Sequence, residues 1–243
     1  APALPRLSSV HGYLDAVDRF EAMPCFVLGA EAALELAELY RRNGPDREAA
    51  AAARRGARGI AYTPAEILRP GVIRHNGKFA KLAFGARHPA QRAVIGQLVQ
   101  ALQAAGVEAA ESGNIQLDLW RKFLMLSTLA SVTALKRQPI GAIRSTPEGS
   151  QLIDALIAET AAVGRASGAS LPEGIEAETR KTLDALPDHM RASMAQDLEK
   201  GGRLELPWLA GAVLRLAAAH NVCVARTKEV VEALAPYQMG RSA

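Results

Sequence analysis

The sequence predicts a helix-dominated α+β protein, with a mixed α/β part over residues 1–113 and an all-helical part over residues 114–243. Three observations carry this. Asn114–Arg137 (NIQLDLWRKFLMLSTLASVTALKR) is apolar almost without break from Phe123 to Leu135, the mark of a buried helix. Between Gly59 and Glu111, short apolar runs alternate with turn residues. Beyond Arg137 the apolar residues recur with helical period.

The central helix is signalled at both ends. Asn114 is a good N-cap, Asp118 lies early where the helix dipole favours an acid, and Lys136 and Arg137 lie where the last carbonyls favour cations. A bilayer span needs roughly 18 or more apolar residues, so this run belongs to a soluble domain. Lys122 is its residue of chemical interest. An ammonium at the edge of an apolar helix, beside Trp120 and Phe123, is partly desolvated and is a usable proton donor. The plain alternative is a surface pair with Asp118, four residues earlier.

Upstream, Leu14–Phe20 and Glu31–Asn43 are amphipathic enough for helices, and Arg47–Arg58 is an Ala/Arg run. CFVLGA at Cys25–Ala30 has the outline of a strand entering a dinucleotide-binding turn, but Glu31 and Leu34 occupy the later glycine positions. GIAYTPAEI, GVIRHNG and FAKLAFG read as three short strands separated by Pro70–Gly71 and Asn76–Gly77 turns. His75 is expected as a half-buried strand histidine. His88–Gly106 reads as a helix stopped by Gly106, and Val107–Glu111 as a further strand.

After the central helix, Pro139–Arg144 is expected as a turn. Pro147–Gly168, Gly174–Leu186, Met190–Lys200, Leu206–Asn221 and Thr227–Leu234 are expected as helices, with Gly201–Gly202 as a break. Gly211, between two alanines, is read as permitting a close helix crossing.

Composition bounds the function. With 243 residues, 49% hydrophobic and 22% charged, the chain can bury a real core and is not disordered. The net charge of +4 is scattered, with no basic block interleaved with aromatics, which argues against nucleic acid and suits a phosphate-bearing small molecule. Cys25 and Cys223, far apart and without metal spacing, indicate neither a metal site nor a disulfide framework. The lack of a signal peptide or membrane run points to the cytoplasm, with no membrane partner.

From Gly59 onward the chain resembles the ketopantoate reductase (2-dehydropantoate 2-reductase) family. The resemblance rests on GIAYTPAEILRPGVIRHNG, on LWRKF at Leu119–Phe123, on VTAL and PIGAIR within 132–144, on SMAQDLEKGGRLEL at 193–206, and on the helix through Gly211 to His220. It implies an N-terminal NADPH-binding Rossmann part joined to a helical domain of the 6-phosphogluconate dehydrogenase C-terminal type, serving substrate binding and homodimer formation. It implies hydride transfer from NADP(H) to a 2-oxo acid, as in pantothenate biosynthesis. Lys122 then falls on the lysine that protonates the developing alkoxide, Ser193 on the substrate-binding serine, and Glu205 on the acid that helps hold lysine and substrate. These types suit the chemistry: a donor where charge grows, a hydroxyl for the carboxylate, an acid to orient the donor. Read alone, Ser193 is a mid-helix serine bonding its own backbone and Glu205 an acid at a helix start.

Two departures stand out. Leu126, Ala130 and Met190 replace asparagines of members that act on ketopantoate, which makes the pocket more apolar and suits a less hydroxylated, smaller 2-oxo acid. Fifty-eight residues precede Gly59, fewer than the family's nucleotide-binding half, and they hold no G-x-G-x-x-G, so residues 1–113 are expected as a truncated or divergent nucleotide-binding part. His11–Gly12 and CFVLGA are competing echoes of that half. The alternatives are a non-catalytic helical dimerisation or binding module derived from such a reductase, and a related dehydrogenase acting on a 3-hydroxy or amino acid.

Overall fold

A computed structural model describes residues 58–62, 65–69, 72–75, 81–86 and 89–240. His11–Gly12, CFVLGA, the expected N-terminal helices and the two turns lie outside the described residues.

The GIAYTPAEI stretch divides into two strands, β1 (Arg58–Tyr62) and β2 (Ala65–Arg69), where the sequence suggested one. β2 pairs antiparallel with β3 (Val72–His75), with the register shifting between Ile67 and Arg69. β1 pairs antiparallel with β4 (Lys81–Gly85), Gly59 opposite Phe84 and Ala61 opposite Leu82. β4 pairs parallel with β5 (Glu108–Glu111), giving a sheet of order β1-β4-β5.

Parallel neighbours need a crossover, and helix α1 (Arg92–Ala104) provides it. Its Ile95, Val99 and Leu102 bury against Phe84 and Ala109. Gly106 ends the helix region at φ 80°, a left-handed conformation that favours glycine, and Val107 N–H donates back to the Leu102 carbonyl at 2.9 Å.

The sheet leads directly into the central helix α2 (Ile115–Lys136). Ser112 N–H donates to the Phe84 carbonyl at 2.6 Å, and Ser112 Oγ donates to Asp118 Oδ2 at 2.6 Å. Asn114 Oδ1 accepts from Leu117 N–H at 3.1 Å, so the expected N-cap is formed. Arg137 closes the helix in the left-handed region at φ 53°. Ala130, Val132, Thr133 and Ala134 are at most 2% exposed, which identifies α2 as the core of the helical part.

Around α2 pack α3 (Ile140–Arg144), α4 (Pro147–Ala166), α5 (Ile175–Asp184), α6 (Ser193–Lys200), α7 (Ala210–His220) and α8 (Ala225–Leu234). The expected turn at Pro139–Arg144 is thus a short helix. Ile140 and Ile143 bury, and the loop before α6 takes up its first donors: Ile140 N–H to Met190 O at 2.9 Å and Gly141 N–H to Asp188 O at 3.0 Å. A side chain at Gly141 would lie 2.6 Å from Asp188 Cβ, so glycine allows that loop its approach.

Two other expectations are corrected. α6 begins at Ser193, because Ala192 is extended (ψ 155°) and its N–H is used by Thr133 Oγ1 at 3.3 Å. Gly211 makes its close approach to the preceding turn, not to a crossing helix: a Cβ there would stand 2.9 Å from the Leu206 carbonyl oxygen. A one-turn 3-10 segment, Leu206–Trp208, precedes α7, and Leu209 breaks it (φ −105°, ψ −102°). Asn221 ends α7 at φ 55°, as its residue type predicts. No helix among the described residues is long and apolar enough to cross a membrane, and no cluster of candidate metal ligands occurs among them.

Candidate functional site

Lys122 lies in the second turn of α2, half-buried where the helix meets β1. Its Nζ donates to the Ala61 carbonyl oxygen at 2.5 Å and sits 5.1 Å from the centre of the Tyr62 ring. Neighbouring α-carbons along β1 therefore supply a backbone acceptor and an aromatic face to one ammonium. Burial first, and the charge of Asp118 second, push the Tyr62 phenol above its ordinary value, against the opposing pull of Arg121. It stays protonated beside the amine.

Asp118 accepts from Ser112 Oγ and pairs with Arg121 at 3.3 Å, and Arg121 reaches Glu178 of α5 at 2.8 Å. Lys122 turns toward the sheet, where it bonds the Ala61 carbonyl.

Ser193 is exposed as the first residue of α6, not in mid-helix. Its neighbour Ala192 is anchored by its N–H on Thr133, eleven residues after Lys122 on α2. Glu205 caps the 3-10 turn without a side-chain bond to it. Its carboxyl is pushed above the usual carboxylate range by burial and then by the charge of Asp197. Asp197 stands one helical turn after Ser193, and burial also pushes its carboxyl up, partly offset by Lys200. Glu205 thus feels the charge of Asp197 on α6, the helix that Ser193 begins, while Lys122 is bonded to β1. α2 is in contact with both α6 and β1.

Sequence reasoning missed three contributors. The Ala61 carbonyl and the Tyr62 ring are sixty residues from Lys122 in the chain, and nothing local announces the contact. Asp197 carried a signal, its four-residue spacing from Ser193 on one helix face.

Such a site can hold an ammonium at a fixed point near an apolar helix and present a hydroxyl and two proton-binding carboxyls further along it. That suits proton delivery to an oxygen on which negative charge develops.

Comparison with known proteins gives the fold a lineage. An oxidoreductase of Bacillus subtilis, itself uncharacterized, is 28% identical over 159 residues, covering 65% of this chain and 52% of its own. A 2-dehydropantoate 2-reductase of Halobacterium salinarum is 30% identical over 155 residues, covering 64% of this chain and 50% of its own. The chain therefore spans about half the length of the curated relatives it matches. The crystal structure of a PanE/ApbA family ketopantoate reductase from Ralstonia eutropha superposes with a TM-score of 0.65 at 26% identity, over 75% of this chain and 59% of that one. The family model "Ketopantoate reductase PanE/ApbA C terminal" matches residues 114–238, from the cap of α2 to beyond α8, and by that match the chain belongs to the ketopantoate reductase family.

Proposed function

We propose that the chain is an NADPH-dependent reductase transferring hydride to a 2-oxo acid, ketopantoate giving pantoate or a related smaller 2-oxo acid. The observation that carries the reading is the fixed Lys122 ammonium, bonded to the Ala61 carbonyl and set over Tyr62. In this reading residues 1–113 form a truncated or divergent nucleotide-binding part and residues 114–243 the helical substrate and dimerisation domain.

The described residues suit the reacting end of such a chemistry and not its phosphate end. The left-handed glycines 106, 168, 174, 201 and 240 flank helices, and none follows a strand as a phosphate-holding turn does. When bound, the nicotinamide supplies the hydride that the keto carbon receives. Lys122 gives its proton to the carbonyl oxygen as the carbon–oxygen double bond becomes single, and regains one from solvent. Ser193 donates its hydroxyl to the substrate carboxylate. Glu205, whose burial favours the protonated form, helps hold lysine and substrate.

NADPH oxidation by the purified chain, measured with ketopantoate and smaller 2-oxo acids, tests the assignment. Turnover that disappears in Lys122→Ala supports it; turnover unchanged by that substitution refutes it. Titration of NADPH followed by nicotinamide fluorescence separates the reductase from a non-catalytic binding module, and light scattering tests the homodimer.

A further inference from the structure

We propose that residues 235–240 form a strap that positions Glu205, by holding the loop between α6 and the 3-10 turn in which that acid sits. The inference rests on the reductase reading above, in which Glu205 helps hold lysine and substrate. The backbone of Glu205 is fixed from both sides. After it, its carbonyl accepts from Trp208 N–H at 3.0 Å and Leu209 N–H at 3.2 Å, within the turn it begins. Before it, the support comes from the far end of the chain: Leu204 N–H donates to Gln238 O at 2.9 Å. Gly240 then closes on the start of the same loop. Its φ is 79°, and a Cβ there would stand 2.7 Å from the Gly201 carbonyl oxygen and 3.2 Å from Arg203 N.

The strap has its own internal bonds and one mooring elsewhere. It opens with the 3-10 turn Ala235–Tyr237, Gln238 N–H donates to Ala235 O at 3.1 Å, and Gly240 N–H donates to Tyr237 O at 3.0 Å. The guanidinium of Arg137, at the end of α2, lies 5.2 Å from the centre of the Tyr237 ring. Apolar burial adds little, since Tyr237 is 45% and Met239 68% exposed. A segment held by a few main-chain bonds and one ring contact opens at a lower free energy than the core helices. Leu204 and Leu206, each 1% exposed, keep the loop attached when it does. The peptide ahead of Glu205 is then free to turn and carries the carboxyl with it. A shift of about 1 Å is enough to slow a positioned reaction.

Two variants of the full protein test this. Gly240→Ala adds a methyl group where both the contact and the left-handed φ oppose one. A chain ended at Tyr237 removes the Gln238 carbonyl itself and leaves α8 intact. Hydrogen exchange read by mass spectrometry is expected to run at least about 10-fold faster over residues 203–206 in either variant, and unchanged over α2. The value of kcat/KM for the 2-oxo acid is expected to fall about 10-fold or more. In a Glu205→Gln background the same changes should speed exchange equally yet lower kcat/KM less than about twofold, because the acid being positioned is already gone. A strap of purely structural importance would give the same fall in both backgrounds, and that additivity overturns the proposal. So does parent-like exchange or parent-like kcat/KM in the chain ended at Tyr237. In each of these cases turnover by the parent leaves the reductase reading intact; no turnover by the parent with any 2-oxo acid overturns both.

Discussion

Glu205 titrates under the charge of Asp197, across the turn made by Gly201 and Gly202: burial lifts both carboxyls, and the Asp197 charge lifts Glu205 further. Both acids bind protons more tightly in the folded chain than in the unfolded one. Their contribution to stability is therefore greatest below the ordinary carboxylate range and is lost as pH rises through the raised values. Asp197→Asn removes one of the two charges. It is expected to raise Tm relative to the parent at pH 7 and to raise it less at pH 4. An equal or larger gain at pH 4 would show that no charge is being relieved.

Lys122→Ala is expected to lower kcat by about 10²–10⁴-fold with the fold retained, the range in which a positioned proton donor acts. Tyr62→Leu, which leaves the Ala61 carbonyl in place and removes the ring 5.1 Å from the amine, should have a smaller effect. Steady-state kinetics with a far-ultraviolet dichroism control would reveal the reverse order if the ring, and not the lysine, governs the rate.

Glu159 of α4 caps a different helix. Its Oε1 accepts from Arg226 N–H at 2.9 Å, and its Oε2 from Thr227 N–H at 2.8 Å and Thr227 Oγ1 at 2.7 Å, at the start of α8, where Val224 provides no side-chain cap. Glu159→Ala leaves a buried threonine hydroxyl and two first-turn donors without that acceptor. The expected cost is about 1–3 kcal/mol in urea unfolding. A change in the midpoint too small to detect would mean that water replaces the carboxylate fully.

Two glycine-to-alanine changes should have opposite signs. At Gly149 in α4 a Cβ would stand 2.0 Å from the Ile143 carbonyl oxygen, so Gly149→Ala should destabilise by about 1–3 kcal/mol or more. At Gly96 in α1 nothing lies within 4 Å, so Gly96→Ala should stabilise by about 0.4–1 kcal/mol. Thermal melts of the pair check both signs.

Much of the helical part was legible because its signals are local. Asn114 caps α2, Gly106 ends the α1 region and Asn221 ends α7, each through backbone geometry that its own residue type favours. What escaped the sequence is what depends on distant partners. The helix at Ile140–Arg144 forms because the 188–190 loop accepts its first N–H groups, and a five-residue element carries no period to detect. Ser193 moves from mid-helix to helix start because Thr133 accepts from the residue before it. For the site, Lys122 stood out through its apolar surroundings, whereas the strand carbonyl and ring that hold it come from a segment sixty residues earlier.

The acceptor that moors Lys122 belongs to the main chain. Every amino acid provides the same carbonyl at position 61, so point changes of that residue leave the tether chemically unaltered. What the ammonium depends on is the course of a strand, and a shift of β1 against α2 would displace it by a like amount. Tolerance to substitution and sensitivity to displacement then coexist at one bond.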